Sequence, residues 1–147
     1  MTATMLGRAA RAAFTAAPPA RQGTYAVTIV LTDDDEMRAL NRIWRGKDAP
    51  TNVLSFPAND AVSEAGLIGD VVLAYETTRK EARDEGLALA DHVSHLVVHG
   101  VLHLLGFDHE EGEEAEQMED LERTALASLG IVDPYAERAA CAAEVSP

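Results

Sequence analysis

The stretch DHVSHLVVHGVLHLLG, residues 91–106, does most to limit what this chain can fold into. Its apolar residues fall round most of a helical circumference, so it is expected to be a helix buried at the centre of a domain and ended by Gly106. Such a helix needs neighbours on nearly every side. In TYAVTIVLT, residues 24–32, Tyr25, Val27, Ile29 and Leu31 alternate with smaller or polar residues, the pattern of a strand with one better-buried face. NVLSF reads as a short strand stopped by Pro57, and LIGDVVLAY as a strand buried on both faces. DDDEMRALNRIW reads as a helix capped by Asp33, with Met37, Leu40 and Trp44 on its core side. ETTRKEARDEG reads as an exposed helix ended by Gly86, and EEGEEAEQMEDLERTALASLG as an amphipathic helix with Met118, Leu121, Ala125 and Leu129 inward. Residues 57–66 read as a polar loop. No repeat or long linker divides the 147 residues, so a single compact α+β domain over 1–147 is expected.

The segment before the first strand has arginines and no acids, which in composition is similar to a transit peptide. Arg8 and Arg11 break any secretory apolar core, and Pro18 and Pro19 close the segment as a helix stop would. Residues 1–20 are therefore read as a first helix, and 131–147 as a tail of open role. The lone cysteine, Cys141, leaves no disulfide framework and no thiolate cluster, which fits a reducing, cytoplasmic compartment. No apolar run approaches the roughly 20 residues that span a bilayer, so no membrane partner is expected.

Within HGVLHLLGFDH, residues 99–109, His99 and His103 lie one helical turn apart and can aim at one ion. His95 and His103 are too far apart along the helix to share it. A third ligand must come from chain that turns back, and Gly106 supplies the reversal that brings His109 round. Three imidazoles leave one position open for water, the mark of a catalytic zinc site; they also suit nickel or another divalent metal. His92 and His95 read as satisfied core histidines, with a ligand-supporting or substrate-facing role for His95 as the second reading; Asp108 either orients a ligand or meets bulk water.

The spacing matches HExxHxxGxxH of the metzincin proteases, yet the position of their catalytic glutamate is Gly100. Glycine cannot replace a general base worth roughly two to four powers of ten in peptide hydrolysis. It suggests instead the close approach of substrate or another backbone. Phosphodiester cleavage has a different need, charge stabilisation around a phosphoryl group, which a metal and an arginine can meet.

The net charge of −13 argues against a general nucleic-acid coat. Its distribution is uneven: residues 110–147 hold 11 acids against 2 bases, whereas Arg38, Arg42, Arg45 and Lys47 fall together with Asp48 just beyond. Arg45, Lys47 and Asp48 are expected in a turn between helix and strand, and Trp44 just before them reads as core, with a base-stacking platform as the second reading.

HGVLHLLGFDH, RGKDAPTNVLSFP and the intervening IGDVVLAYETTRKEA closely resemble the YbeY family of metal-dependent endoribonucleases, over about residues 25–130. The resemblance implies helices around a small mixed sheet, with the central helix carrying the metal ligands. It implies a single-strand-specific endoribonuclease acting in maturation of the 3′ end of small-subunit ribosomal RNA and in ribosome quality control. The implied partners are single-stranded RNA, ribosomal RNA and the small ribosomal subunit, with ribosomal proteins and a ribosome-assembly GTPase as further candidates. The family's three ligands fall on His99, His103 and His109, its functionally important arginine on Arg45, and the implied cofactor is one zinc ion. His95 or Asp70 is the candidate general base, and Lys47 joins Arg42 and Arg45 in guiding RNA, with the acidic C-terminal helix facing away. Two other classes stand against this reading. One is a divergent zinc peptidase, rescued by an acid such as Asp70; the other is a ribosome-associated binding protein whose metal only stabilises the fold.

Overall fold

The computed structural model describes residues 2–19, 23–59, 66–107 and 112–131. Strand β3 (Leu67–Ala74) carries the continuous apolar run and takes the middle of a three-stranded sheet. It pairs in parallel with β1 (Ala26–Thr32) and antiparallel with β2 (Val53–Pro57), so the order is β1-β3-β2 and the sheet is mixed. Val71, Val72, Leu73 and Ala74 are all buried, as expected of a strand covered on both faces.

Alternation along β3 divides the interior in two. Val71 and Leu73 pack with helices α1 (Ala3–Ala16), α4 (Leu89–Leu104) and α5 (Gly112–Ser128). Val72 and Ala74 pack on the opposite face with Leu54 and with Met37 of α2 (Asp34–Arg45). Helix α3 (Tyr75–Glu85) connects β3 to α4. The expected central helix is α4, where Val93, Val97, Val98, Val101 and Leu102 are buried. The alanine-rich N-terminal segment forms α1, and its Ala9, Ala10, Ala12 and Ala13 enter the same core; small side chains there let the helix lie close to its neighbours.

Local chemistry fixes the helix ends. Asp33 caps α2 by accepting from Glu36 N at 2.8 Å. The parallel strands β1 and β3 end side by side, and the helices that follow cap each other. Glu76 accepts from the Asp34 amide at 2.7 Å, while Asp34 accepts from the Thr77 amide at 3.1 Å and its hydroxyl at 2.9 Å. One expectation fails here. Trp44 belongs to the Met37 and Leu40 stripe but is 67% exposed, because at the last turn of α2 it meets Phe56 of edge strand β2 edge-on rather than entering a core.

No single helix among the described residues is long and apolar enough to cross a membrane.

Candidate metal centre

His92, His95, His99 and His103 follow one another at three or four residues and form one stripe along α4. Gly100 lies about a quarter turn from that stripe and faces the sheet. The Ser55 hydroxyl donates to its carbonyl oxygen at 3.0 Å, and a Cβ placed on it would stand 2.7 Å from Val71 Cγ1. The glycine is thus needed for packing of helix on strand. The expectation that substrate or another backbone approaches this position is corrected: what approaches is the Val71 side chain.

At the N-terminal end of the stripe, buried His92 places Nε2 3.0 Å from Glu81 Oε1, and Asn52 Nδ2 donates to the same oxygen at 3.1 Å. His92 Nδ1 has no hydrogen-bond partner among the described residues, so the satisfied core histidine expected there is satisfied on one side. The next two histidines share one acid. Glu122 of α5 is 1% exposed; its Oε2 lies 3.1 Å from His95 Nε2 and its Oε1 2.5 Å from His99 Nδ1.

This arrangement assigns a proton. An ionised Glu122 can only accept, which puts the hydrogen it shares with His99 on Nδ1 and makes Nε2 the nitrogen that faces a metal. That nitrogen points towards His103, whose Nε2 is 3.1 Å away. Two ligands each about 2.0–2.1 Å from one ion at a tetrahedral angle would stand roughly 3.3 Å apart, so the pair fits a shared divalent metal with small adjustment. A carboxylate behind the ligating imidazole fixes its orientation and raises its basicity.

The chain then reverses. Gly106, at φ +101°, donates to His103 O at 3.0 Å, and Phe107 N donates to Leu102 O at 3.1 Å, the hydrogen-bond pair of a Schellman ending. His109 and Asp108 lie outside the described residues, as do Cys141 and all of the tail beyond Ile131. Among the described residues no three metal-binding side chains converge.

The other expected site residues lie elsewhere. Asp70 pairs with Phe56 across the strands and shares the alternation of Val72 and Ala74, which puts it on the α2 face of the sheet, away from α4. Arg45 is the last residue of α2 rather than part of a turn; the turn begins at Gly46, which caps the helix in the left-handed conformation. Arg45 and Lys47 are exposed, with no ion-pair partner among the described residues. Arg38 instead takes up Asp48 through two bonds of 2.8 and 3.0 Å. The hydrogen bond from Arg38 holds the Asp48 carboxyl below the ordinary carboxylate range, and Asp48 raises the Arg38 guanidinium in turn.

Helices α2 and α4 lie on opposite faces of the sheet, and each meets β2. Trp44 touches Phe56, and Gly100 is bonded to Ser55, the adjacent residue of that strand.

Glu122 is the residue that sequence reasoning missed. It falls at helical spacing between Met118 and Ala125, a charged residue inside an apolar stripe, and that misfit was its signal. The expectation that the acidic helix faces away from the site is corrected by the same residue.

A sequence model of the endoribonuclease YbeY family matches residues 3–130. A relative from Paramagnetospirillum magneticum, named endoribonuclease YbeY, is 59% identical over 122 residues, 79% of this chain and 74% of that protein. Another of the same name from Novosphingobium aromaticivorans is 52% identical over 139 residues, 88% of this chain and 83% of that protein. The solution structure of TM1509 from Thermotoga maritima superposes with a TM-score of 0.54 at 23% identity, covering 89% of this chain and 88% of that one, which shows a common fold. With the family's match spanning nearly every described residue, this chain belongs to the endoribonuclease YbeY family.

Proposed function

We propose that this chain is a metal-dependent endoribonuclease that cuts single-stranded RNA and serves the maturation of small-subunit ribosomal RNA in the cytoplasm. The observation that carries the metal dependence is the approach of His99 Nε2 to His103 Nε2 with Glu122 behind His99. His99, His103 and His109 would hold one divalent ion, and imidazole donors suit zinc first, then nickel. Such an ion would supply Lewis-acid chemistry at a phosphoryl oxygen. Arg45 grips a phosphate through its planar fork and offsets charge that builds during cleavage; Lys47 and Arg42 guide the strand. His95 keeps the Glu122 carboxylate in place from the side opposite His99.

The peptidase alternative finds no support in the geometry. A glutamate at position 100 would drive into Val71, and Asp70 lies across the sheet from the histidines. The test incubates metal-loaded protein with an unstructured RNA, with small ribosomal subunits and with casein, beside an identically prepared His103→Ala protein. Cleavage of RNA by the wild type alone supports the reading. Casein cleavage, or RNA cleavage undiminished in His103→Ala, overturns it.

A further inference from the structure

The end of α2 exposes more apolar surface than a helix stop requires. Ile43 and Trp44 are each 67% exposed, and Phe56 steadies the indole from one side with ring centroids 5.8 Å apart. Trp44 is flanked in sequence by Arg42, Arg45 and Lys47, none of which has a carboxylate within ion-pairing distance among the described residues. In a chain of net charge −13, three exposed cations within three residues of an exposed tryptophan favour an occupant that combines a polyanionic backbone with flat apolar faces. Single-stranded RNA has both.

We propose that Trp44 is a base-stacking platform for single-stranded RNA. The bound strand lays a base on the indole, and the cations that neighbour it in sequence, Arg42, Arg45 and Lys47, take its phosphates. This rests on the endoribonuclease reading and adds to it the residue that positions the strand. Phe56 backs the indole on one side and leaves the rest of it to solvent. A stack there gives grip without reading sequence, since every base has a π face.

Trp44 is the chain's one tryptophan, so its emission reports the site directly. The metal-loaded full-length protein is titrated with a cleavage-resistant 2′-O-methyl RNA and with an abasic strand of equal length, following indole emission and, separately, polarisation of a labelled strand. The RNA is expected to quench the emission and the abasic strand to leave it nearly unchanged. Trp44→Leu should weaken RNA binding by on the order of ten-fold, and Trp44→Phe should restore most of the loss. Because Trp44 is exposed, both variants should melt as the wild type does.

Saturated polarisation without any change in emission would overturn the proposal, as would Trp44→Leu binding as tightly as wild type. Sedimentation showing that Trp44→Leu abolishes self-association, with RNA binding intact, would make the patch a protein contact and equally sink it. If wild type cuts RNA in a metal-dependent way while Trp44→Leu binds normally, only the platform falls. If wild type neither binds nor cuts RNA, the endoribonuclease reading falls with it.

Discussion

On the flank of α4, Glu122 is almost wholly buried and takes the ring hydrogens of two histidines, which in turn fixes the lone pair that His99 turns towards His103. Across β2, at the end of α2, Arg42, Trp44, Arg45 and Lys47 stand in solvent, held by little beyond the helix that carries them. An ion demands ligands within tenths of an ångström, and only packing and hydrogen bonds arranged before it arrives can supply that. A flexible polyanion tolerates adaptable partners, and leaving cations exposed avoids the cost of burying them. The two regions should therefore fail differently: substitutions on α4 should change metal binding and stability, those on α2 RNA handling alone.

The largest effect is expected from His103→Ala. Metal analysis after mild purification should find near-stoichiometric metal in wild type and almost none in the variant, with RNA cleavage lost. Chelation should lower the melting temperature of wild type, since a ligand that binds only the folded state stabilises it, and leave His103→Ala unchanged. A full metal complement in that variant would remove His103 from the centre.

Arg45 probes the other region. Arg45→Ala should lower cleavage by about a hundred-fold, the scale of losing one charge-stabilising donor, while its melting temperature and metal content match wild type. Arg45→Lys should recover only part, because lysine keeps the charge without the bidentate fork. A shift in melting temperature comparable to that of the α4 variants would erase the proposed division.

Glu122→Gln sharpens the comparison from the buried side. Glutamine puts an NH2 donor where one of the two carboxylate oxygens stood, so one of the histidines must turn or change tautomer. Metal affinity should fall by about ten- to hundred-fold, read by competition with a chromophoric chelator. Unchanged affinity in a folded variant would show that the carboxylate only fills the core.

Gly100 explains how much the sequence could say. The buried helix, the central strand and the cap at Asp33 were readable because period and capping chemistry are local. The missing base at position 100 was readable too, but its cause was not: the glycine answers to Val71 and Ser55, which no local pattern places beside it. Trp44 matched an apolar stripe and still lies exposed, since where the sheet ends is a tertiary fact. Glu122 hid in the opposite way, as a charge inside a stripe whose function needs two histidines from another helix. Gly100→Ala tests the packing account directly. Helix propensity alone favours alanine by up to about 1 kcal/mol, whereas overpacking against Val71 should cost about 1–3 kcal/mol, so denaturant unfolding should show net destabilisation. Pairing it with Val71→Ala should reduce that cost. A stabilised Gly100→Ala protein would return the glycine to the substrate.

The smallest effect belongs to the Arg38–Asp48 pair, which lies in the exposed region and should behave accordingly. Arg38 lowers the Asp48 pKa from its ordinary 3.8 through a hydrogen bond and charge, so any stability it adds is fully present above that value and is lost as pH falls through the lowered one. Arg38 stays charged throughout, so the carboxyl alone sets the window. Asp48→Asn should thus melt slightly below wild type at neutral pH, with the gap closing in acid and at high salt, since an exposed pair is well screened. On RNA the sign reverses. Removing the carboxylate frees Arg38 and takes a negative charge from near Arg42, so Asp48→Asn should bind single-stranded RNA more tightly at low salt, with a dependence on log salt steeper by up to about 0.7. Weaker RNA binding by Asp48→Asn would mean that the pair holds the turn in its working shape, and the end of α2 would then be built more like the flank of α4 than its exposure suggests.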